Sequence, residues 1–100
     1  MNVTTHPEAL DEIEDAMDWL SRDSNWAPEQ FLAEYDAHVA KIKARPDSYR
    51  KVHREFRRLN LNRFRHAIIY RLRGNDIYII AVMHEKRHPD YWKHRVGDDA

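Results

Sequence analysis

One hundred residues, 42% apolar with eleven aromatics and 34% charged, make a single domain over residues 1–100, one core sheathed in charge. The chain has no cysteine, which removes disulfides, thiolate metal sites and thiol nucleophiles and fits a reducing compartment. Its longest apolar run, Ile77 to Met83, has seven residues against the ~18 that a membrane span needs. Met1 to Pro7 lacks the basic flank and apolar stretch of a secretory signal, so a cytoplasmic protein without membrane contact is expected. Up to Ser48 eleven acids face four cations, a balance of −7; beyond it thirteen cations and six acids give +7, with five of the seven histidines. Such asymmetry marks either an interaction surface or two halves that neutralise each other on packing.

Val3 to Thr5 is β-branched and reads as a short first strand, after which Pro7 suits the first turn of a helix. Leu10, Ile13, Met17 and Leu20 then step by three, four and three, one face of an α-helix that fades near Ser21 to Asn25. Its early acids, Glu8, Asp11 and Glu12, suit the positive end of the helix dipole. A second helix opens at Pro28 with Phe31, Tyr35, Val39 and Ile42 on one face. Pro46 pushes Arg45 out of helical angles and ends it. The two form an antiparallel helical hairpin.

Beyond Pro46 the period changes to two. Val52 to Leu61 is a weaker strand, with Phe56, Leu59 and Leu61 among basic residues. Phe64 to Arg73 alternates, Gly74-Asn75 turns the chain, and Asp76 to Met83 returns, the pattern of a β-hairpin. His88-Pro89-Asp90 caps a short helical turn that ends by Gly97. The order β-α-α-β-β-β predicts an α+β fold, a helical hairpin packed on an antiparallel sheet, with a short C-terminal helical turn.

A two-residue turn at Gly74-Asn75 sets Arg73 opposite Asp76, Ile69 opposite Ile80, Ala67 opposite Val82 and Arg65 opposite His84. In that register Arg65 and His84 meet at the open end of the hairpin, beside Arg57 and Arg58, while His66 lies on the other face. The segment after the strand adds Lys86, Arg87, His88 and Tyr91. Arginine forks suit phosphates, histidine moves protons near neutral pH, and an aromatic ring stacks a base. RNA cleavage through its own 2′-hydroxyl needs a base, an acid and charge stabilisation on phosphorus, and no metal. The same cluster equally suits binding of nucleic acid or of an acidic protein, or forms a solvated rim.

No cofactor or metal is expected. His84 and His88 stand four apart in a strand end and loop, where that spacing makes no zinc face. Gly74 and Gly97 are the only glycines, so there is no glycine-rich phosphate loop. Ser21, Ser24 and Ser48 sit where turns and caps want them, and Trp19, Trp26 and Trp92 read as packing residues. Tyr70 reads as a core residue with its hydroxyl at the edge.

The acidic first helix (Ala9, Glu12, Ile13), the stretch QFLAEYDAHVAKIKARPDSYRKV and the stretch FRHAIIYRLRGNDIYIIAVMHEKRHPDYWKHR together resemble the RelE/ParE toxin superfamily. The likeness spans nearly the whole chain and is strongest from Phe64 to Arg95. It implies the β-α-α-β-β-β toxin fold and the toxin of a bacterial type II toxin–antitoxin pair of the plasmid-stabilisation type. A cognate protein antitoxin would hold it inactive in a hetero-oligomer, as an acidic amphipathic peptide lying across the basic half with its apolar anchors on an exposed hairpin face.

In the superfamily, the RelE-like branch cuts messenger RNA on the ribosome and the ParE-like branch inhibits DNA gyrase. Aligned on Tyr70, the nuclease branch's arginine three positions earlier falls at Ala67; aligned on Tyr91, its arginine six positions upstream falls at Glu85. His84 and Arg87 instead resemble the terminal His-x-x-Arg of ParE-like members. The first expectation is therefore a growth-inhibiting, ParE-like toxin that binds a protein target, DNA gyrase, with Arg57, Arg58, Arg65, Lys86 and Arg87 as target- or nucleic-acid-binding residues. The second is a metal-independent, ribosome-dependent mRNA endonuclease with Arg65, His84, Arg87 and Tyr91 as its catalytic set. The third is a non-toxic binding module of the same fold. An overall neutral charge with pI ≈ 7.1 weakens the nuclease reading, because counterion release draws strongly basic proteins to RNA.

Overall fold

In the computed structural model, which describes residues 1–99, the chain runs β1 (Asn2–Thr5), α1 (Pro7–Ser21), α2 (Ala27–Ala44), β2 (Lys51–His53), β3 (Phe56–Asn60), β4 (His66–Arg73), β5 (Asp76–His84) and a C-terminal 3-10 turn (Lys93–Asp99). Pro7 stands in the first turn of α1 as its fixed φ favours, and the His6 ring caps that end by accepting the Glu8 N–H at 3.0 Å. Ser24 Oγ accepts the N–H groups of Trp26 and Ala27 at 3.1 and 3.3 Å, which closes the entry to α2. Arg45 leaves helical angles before Pro46, so α2 ends where the proline requires. No helix among the described residues is long and apolar enough to cross a membrane.

The five strands form one sheet in the order β1-β5-β4-β3-β2. Three pairings are antiparallel, but β1 runs parallel to β5, with Val3 opposite Ile77 and Thr5 opposite Ile79. The expected antiparallel sheet is thus a mixed one. β1 and β5 lie at opposite ends of the chain, and the direction of such a pairing is set by how the helical hairpin returns the chain, which no local pattern reports. The single weak strand expected over Val52 to Leu61 is two, β2 and β3, split by a tight turn in which Arg54 takes a φ of +50°.

Both faces of the sheet are covered. Ile68, Tyr70, Ile77, Ile79 and Val82 pack under the helices against Ala9, Ala16, Phe31, Tyr35 and Ile42. Tyr70 is fully buried there, with its hydroxyl donating to the Pro46 carbonyl at 2.5 Å. On the other face Ala67, Ile69, Tyr78, Ile80, Ala81 and Met83 gather around Phe56 and Trp92, the latter brought over by the C-terminal segment. Among the described residues no bare apolar hairpin face remains there for an antitoxin. The α1 face also differs from the sequence reading: the small Ala9 and Ala16 are the buried positions, and Leu10 is half exposed. Trp19 and Trp26, expected to pack, are 63% and 72% exposed.

Candidate functional site

The end of the β4–β5 hairpin is governed by one extra residue. Near the turn the expected register holds, with Arg73 opposite Asp76 and Tyr70 opposite Ile79, but Ile69 then faces Ala81. Ile80 is inserted as a β-bulge, and two consecutive apolar side chains, Ile80 and Ala81, both join the cluster around Trp92. Every position beyond is shifted by one, which in a strand exchanges faces. Ala67 faces Met83 rather than Val82, and His66, not Arg65, faces His84.

The expected meeting of Arg65 and His84 is therefore corrected. Arg65 pairs instead with Glu85, Nη1 to Oε1 at 2.6 Å, both side chains well exposed. The His66 and His84 rings, expected on opposite faces, touch edge to face with centroids 5.0 Å apart. Burial first, then the His84 charge, pushes the His66 pKa down to about 4, so it is a neutral imidazole at physiological pH. Its Nδ1 is buried without a hydrogen-bond partner among the described residues. His84 Nδ1 accepts the Lys86 N–H at 3.1 Å.

Tyr91 is held by a knot of residues that the sequence did not reveal. Its hydroxyl donates to Glu12 of α1, and its ring lies under the Arg87 guanidinium at 3.9 Å. Burial and then the Glu12 carboxylate raise the Tyr91 pKa far above that of an ordinary phenol. Arg95, 4% exposed, grips Glu12 through both terminal nitrogens at 2.9 and 3.3 Å and reaches Glu8 at 3.2 Å. The same Glu12 accepts the Val82 N–H at 3.0 Å, and Arg95 donates to the Ile80 carbonyl at 3.1 Å. Glu12 and Arg95 thus stand in for the neighbour that β5 lacks once β1 has ended at Thr5, and satisfy the strand edge at the bulge. Glu12 and Arg95 stand more than eighty positions apart, so only the opposite charges of α1 and the C-terminal segment hinted at the knot.

The cations sort by face. Arg57 donates to the carbonyls of Asp47 and Tyr49 at 3.1 and 2.6 Å, fixing the loop after α2, whereas Arg58 points to the opposite face and reaches Met83. They do not form one basic segment. A polar cleft of ≈ 350 Å³ opens where β3 turns into β4, lined by Arg58, Asn60, Arg63, Arg65, His66 and Glu85. Its loop is anchored from beneath by Glu34 of α2, which accepts the main-chain N–H groups of Asn62 and Arg63 and the Arg63 guanidinium at 3.3 Å. Burial raises the Glu34 pKa, but these donors outweigh it and hold the carboxylate ionised. A second cleft of ≈ 330 Å³ lies between α1 and the end of β5. Trp19, Ala16 and Val82 give it apolar walls, and His84, Lys86 and Arg87 line it together with the carboxylates of Glu12 and Asp15.

The two layers, the bulged hairpin and the C-terminal segment describe a small α+β domain. Residues 3–89 match the model of a family described as the ParE toxin of the type II toxin–antitoxin system parDE. The chain belongs to that family. Among solved structures it is similar to the chromosomal ParDE toxin–antitoxin system from P. aeruginosa, at 20% identity and TM-score 0.64, covering 84% of this chain and 95% of that one. It is also similar to the isolated RelE toxin of E. coli, at 12% identity and TM-score 0.59, covering 99% and 98% of the two chains. At those identities the likeness is one of fold. No curated protein matches the sequence.

Proposed function

We propose that this ParE-family chain is a cytoplasmic toxin that arrests growth by binding a protein target, DNA gyrase, without chemistry of its own, and that a cognate antitoxin neutralises it. The observation that carries this reading is the dispersal of the candidate catalytic set. Arg65 is paired with Glu85, Tyr91 donates to Glu12, Arg87 is stacked on Tyr91, and His84 lies on the other face from Arg65. A general acid or base has to reach the proton it moves, and four groups occupied in different directions do not enclose one scissile bond. Arg65, Lys86 and Arg87 are exposed and remain as cationic contacts for a target. For the antitoxin, the cleft beside Trp19 offers apolar walls flanked by Lys86 and Arg87 on one side and Glu12 and Asp15 on the other, which suits an amphipathic segment that folds as it binds.

The contact between His66 and His84 favours a second reading, a ribosome-dependent mRNA endonuclease whose base and acid are these two imidazoles. The readings separate on the purified chain. Added to a gyrase supercoiling reaction it should inhibit supercoiling, and added to a translation reaction it should leave the message intact. Cleaved message with unimpaired gyrase would reverse the order of the two. His84→Ala should retain gyrase inhibition, but would abolish message cleavage under the second reading.

A further inference from the structure

Arg58 is a half-buried guanidinium without a carboxylate partner among the described residues. Its Nε donates to Asn60 Oδ1 at 2.8 Å, and its Nη1 lies 3.8 Å from the Met83 sulfur. Burial first and the neighbouring Arg50 second work against its charge. A partly desolvated guanidinium held in place by an amide, with donors left over, is suited to receive an anion. It forms one wall of the polar cleft, where Arg63, paired with Glu34, and Arg65, paired with Glu85, add two further guanidinium groups.

We infer that this cleft binds a phosphate of a nucleic-acid backbone, with Arg58 as the fixed ligand and Arg63 and Arg65 as exposed arms that exchange their carboxylate partners for the same group. A lone carboxylate would occupy one planar fork, whereas a tetrahedral phosphate presents oxygens to several at once. The cleft is open to solvent, so a backbone bound there is not forced to end in it. Arg63 can swing in without releasing its loop, because Glu34 also holds the main-chain N–H groups there. The inference does not depend on the gyrase reading, since it concerns isolated nucleic acid and no turnover.

The test is fluorescence anisotropy of the full chain with a labelled eight-nucleotide single-stranded RNA and a DNA of the same length at low salt. Inorganic phosphate and an acidic octapeptide serve as competitors. Both oligonucleotides should bind, and phosphate should displace them. Arg58→Gln should weaken binding at least tenfold and lower the slope of log K against log salt by about one, with Arg58→Lys intermediate because charge returns without the fork. Thermal unfolding of Arg58→Gln should match the parent chain, since no ion pair is broken. Preference for RNA over DNA would assign the source of the phosphate. Absence of binding, binding unchanged in Arg58→Gln, or displacement by the acidic peptide but not by phosphate would overturn the inference.

Discussion

Glu12 serves three donors at once, the Val82 N–H, the Tyr91 hydroxyl and the Arg95 guanidinium, in a setting where Arg95 is almost wholly removed from water. Removing the carboxylate leaves a buried cation and an unpaired strand N–H, so Glu12→Ala should cost about 3 kcal/mol in urea unfolding. Arg65→Ala breaks an ion pair that is equally well formed but exposed, and should leave the urea midpoint almost unchanged. His66 makes the other prediction at this scale. Burial, with His84 beside it and Glu12 opposing, holds its folded pKa near 4, while the unfolded chain protonates near 6.5. Between those values the unfolded state binds more protons, so stability is whole above pH 6.5 and falls as pH drops toward 4. With solvent screening of this partly exposed ring the loss should be about 1–2 kcal/mol, read as a falling urea midpoint. His66→Gln should flatten that slope.

At the scale of elements, two tight turns and one bulge set which side chains meet. Gly74 takes a φ of +58° in open space, so Gly74→Ala should cost about 1 kcal/mol through backbone strain alone. Arg54 adopts φ +50° with a side chain that disfavours it, and Arg54→Gly should raise the thermal midpoint by a few degrees. The two helices and the Gly74-Asn75 hairpin were legible from period and punctuation, as were Pro7 at the head of α1 and Pro46 beyond α2. The bulge at Ile80 was not. A run of seven apolar residues carries no alternation, so nothing in it marks the point where two neighbours share a face. That omission exchanged His66 for Arg65 opposite His84, and with it the membership of the candidate site.

Across the whole molecule the charge split is only partly internal. Glu8, Glu12 and Glu34 reach over to Arg95 and Arg63, while Asp11, Glu14, Asp15 and Asp18 stay on the exposed surface of α1. Lys86, Arg87, Arg63 and Arg65 stay exposed around the two clefts at the hairpin end, which leaves a polarised surface suited to charged partners. An exposed tryptophan beside an apolar cleft belongs to that surface rather than to the core. Trp19→Ala should therefore leave the urea midpoint within ~0.5 kcal/mol of the parent, yet weaken antitoxin binding at least tenfold in calorimetry. Unchanged antitoxin affinity would remove this cleft from the interface.

By itself the sequence determined the two-layer α+β architecture and the positions of both helices and the central hairpin, because periodicity, proline placement and turn chemistry act over a few neighbouring residues; the toxin family was legible through the resemblance of its ordered motifs. Only the tertiary structure decided the parallel edge strand, the knot of Glu12 and Arg95, and which histidine meets which. Those depend on groups brought together from distant parts of the chain, and on a single inserted residue that reverses the faces of everything after it.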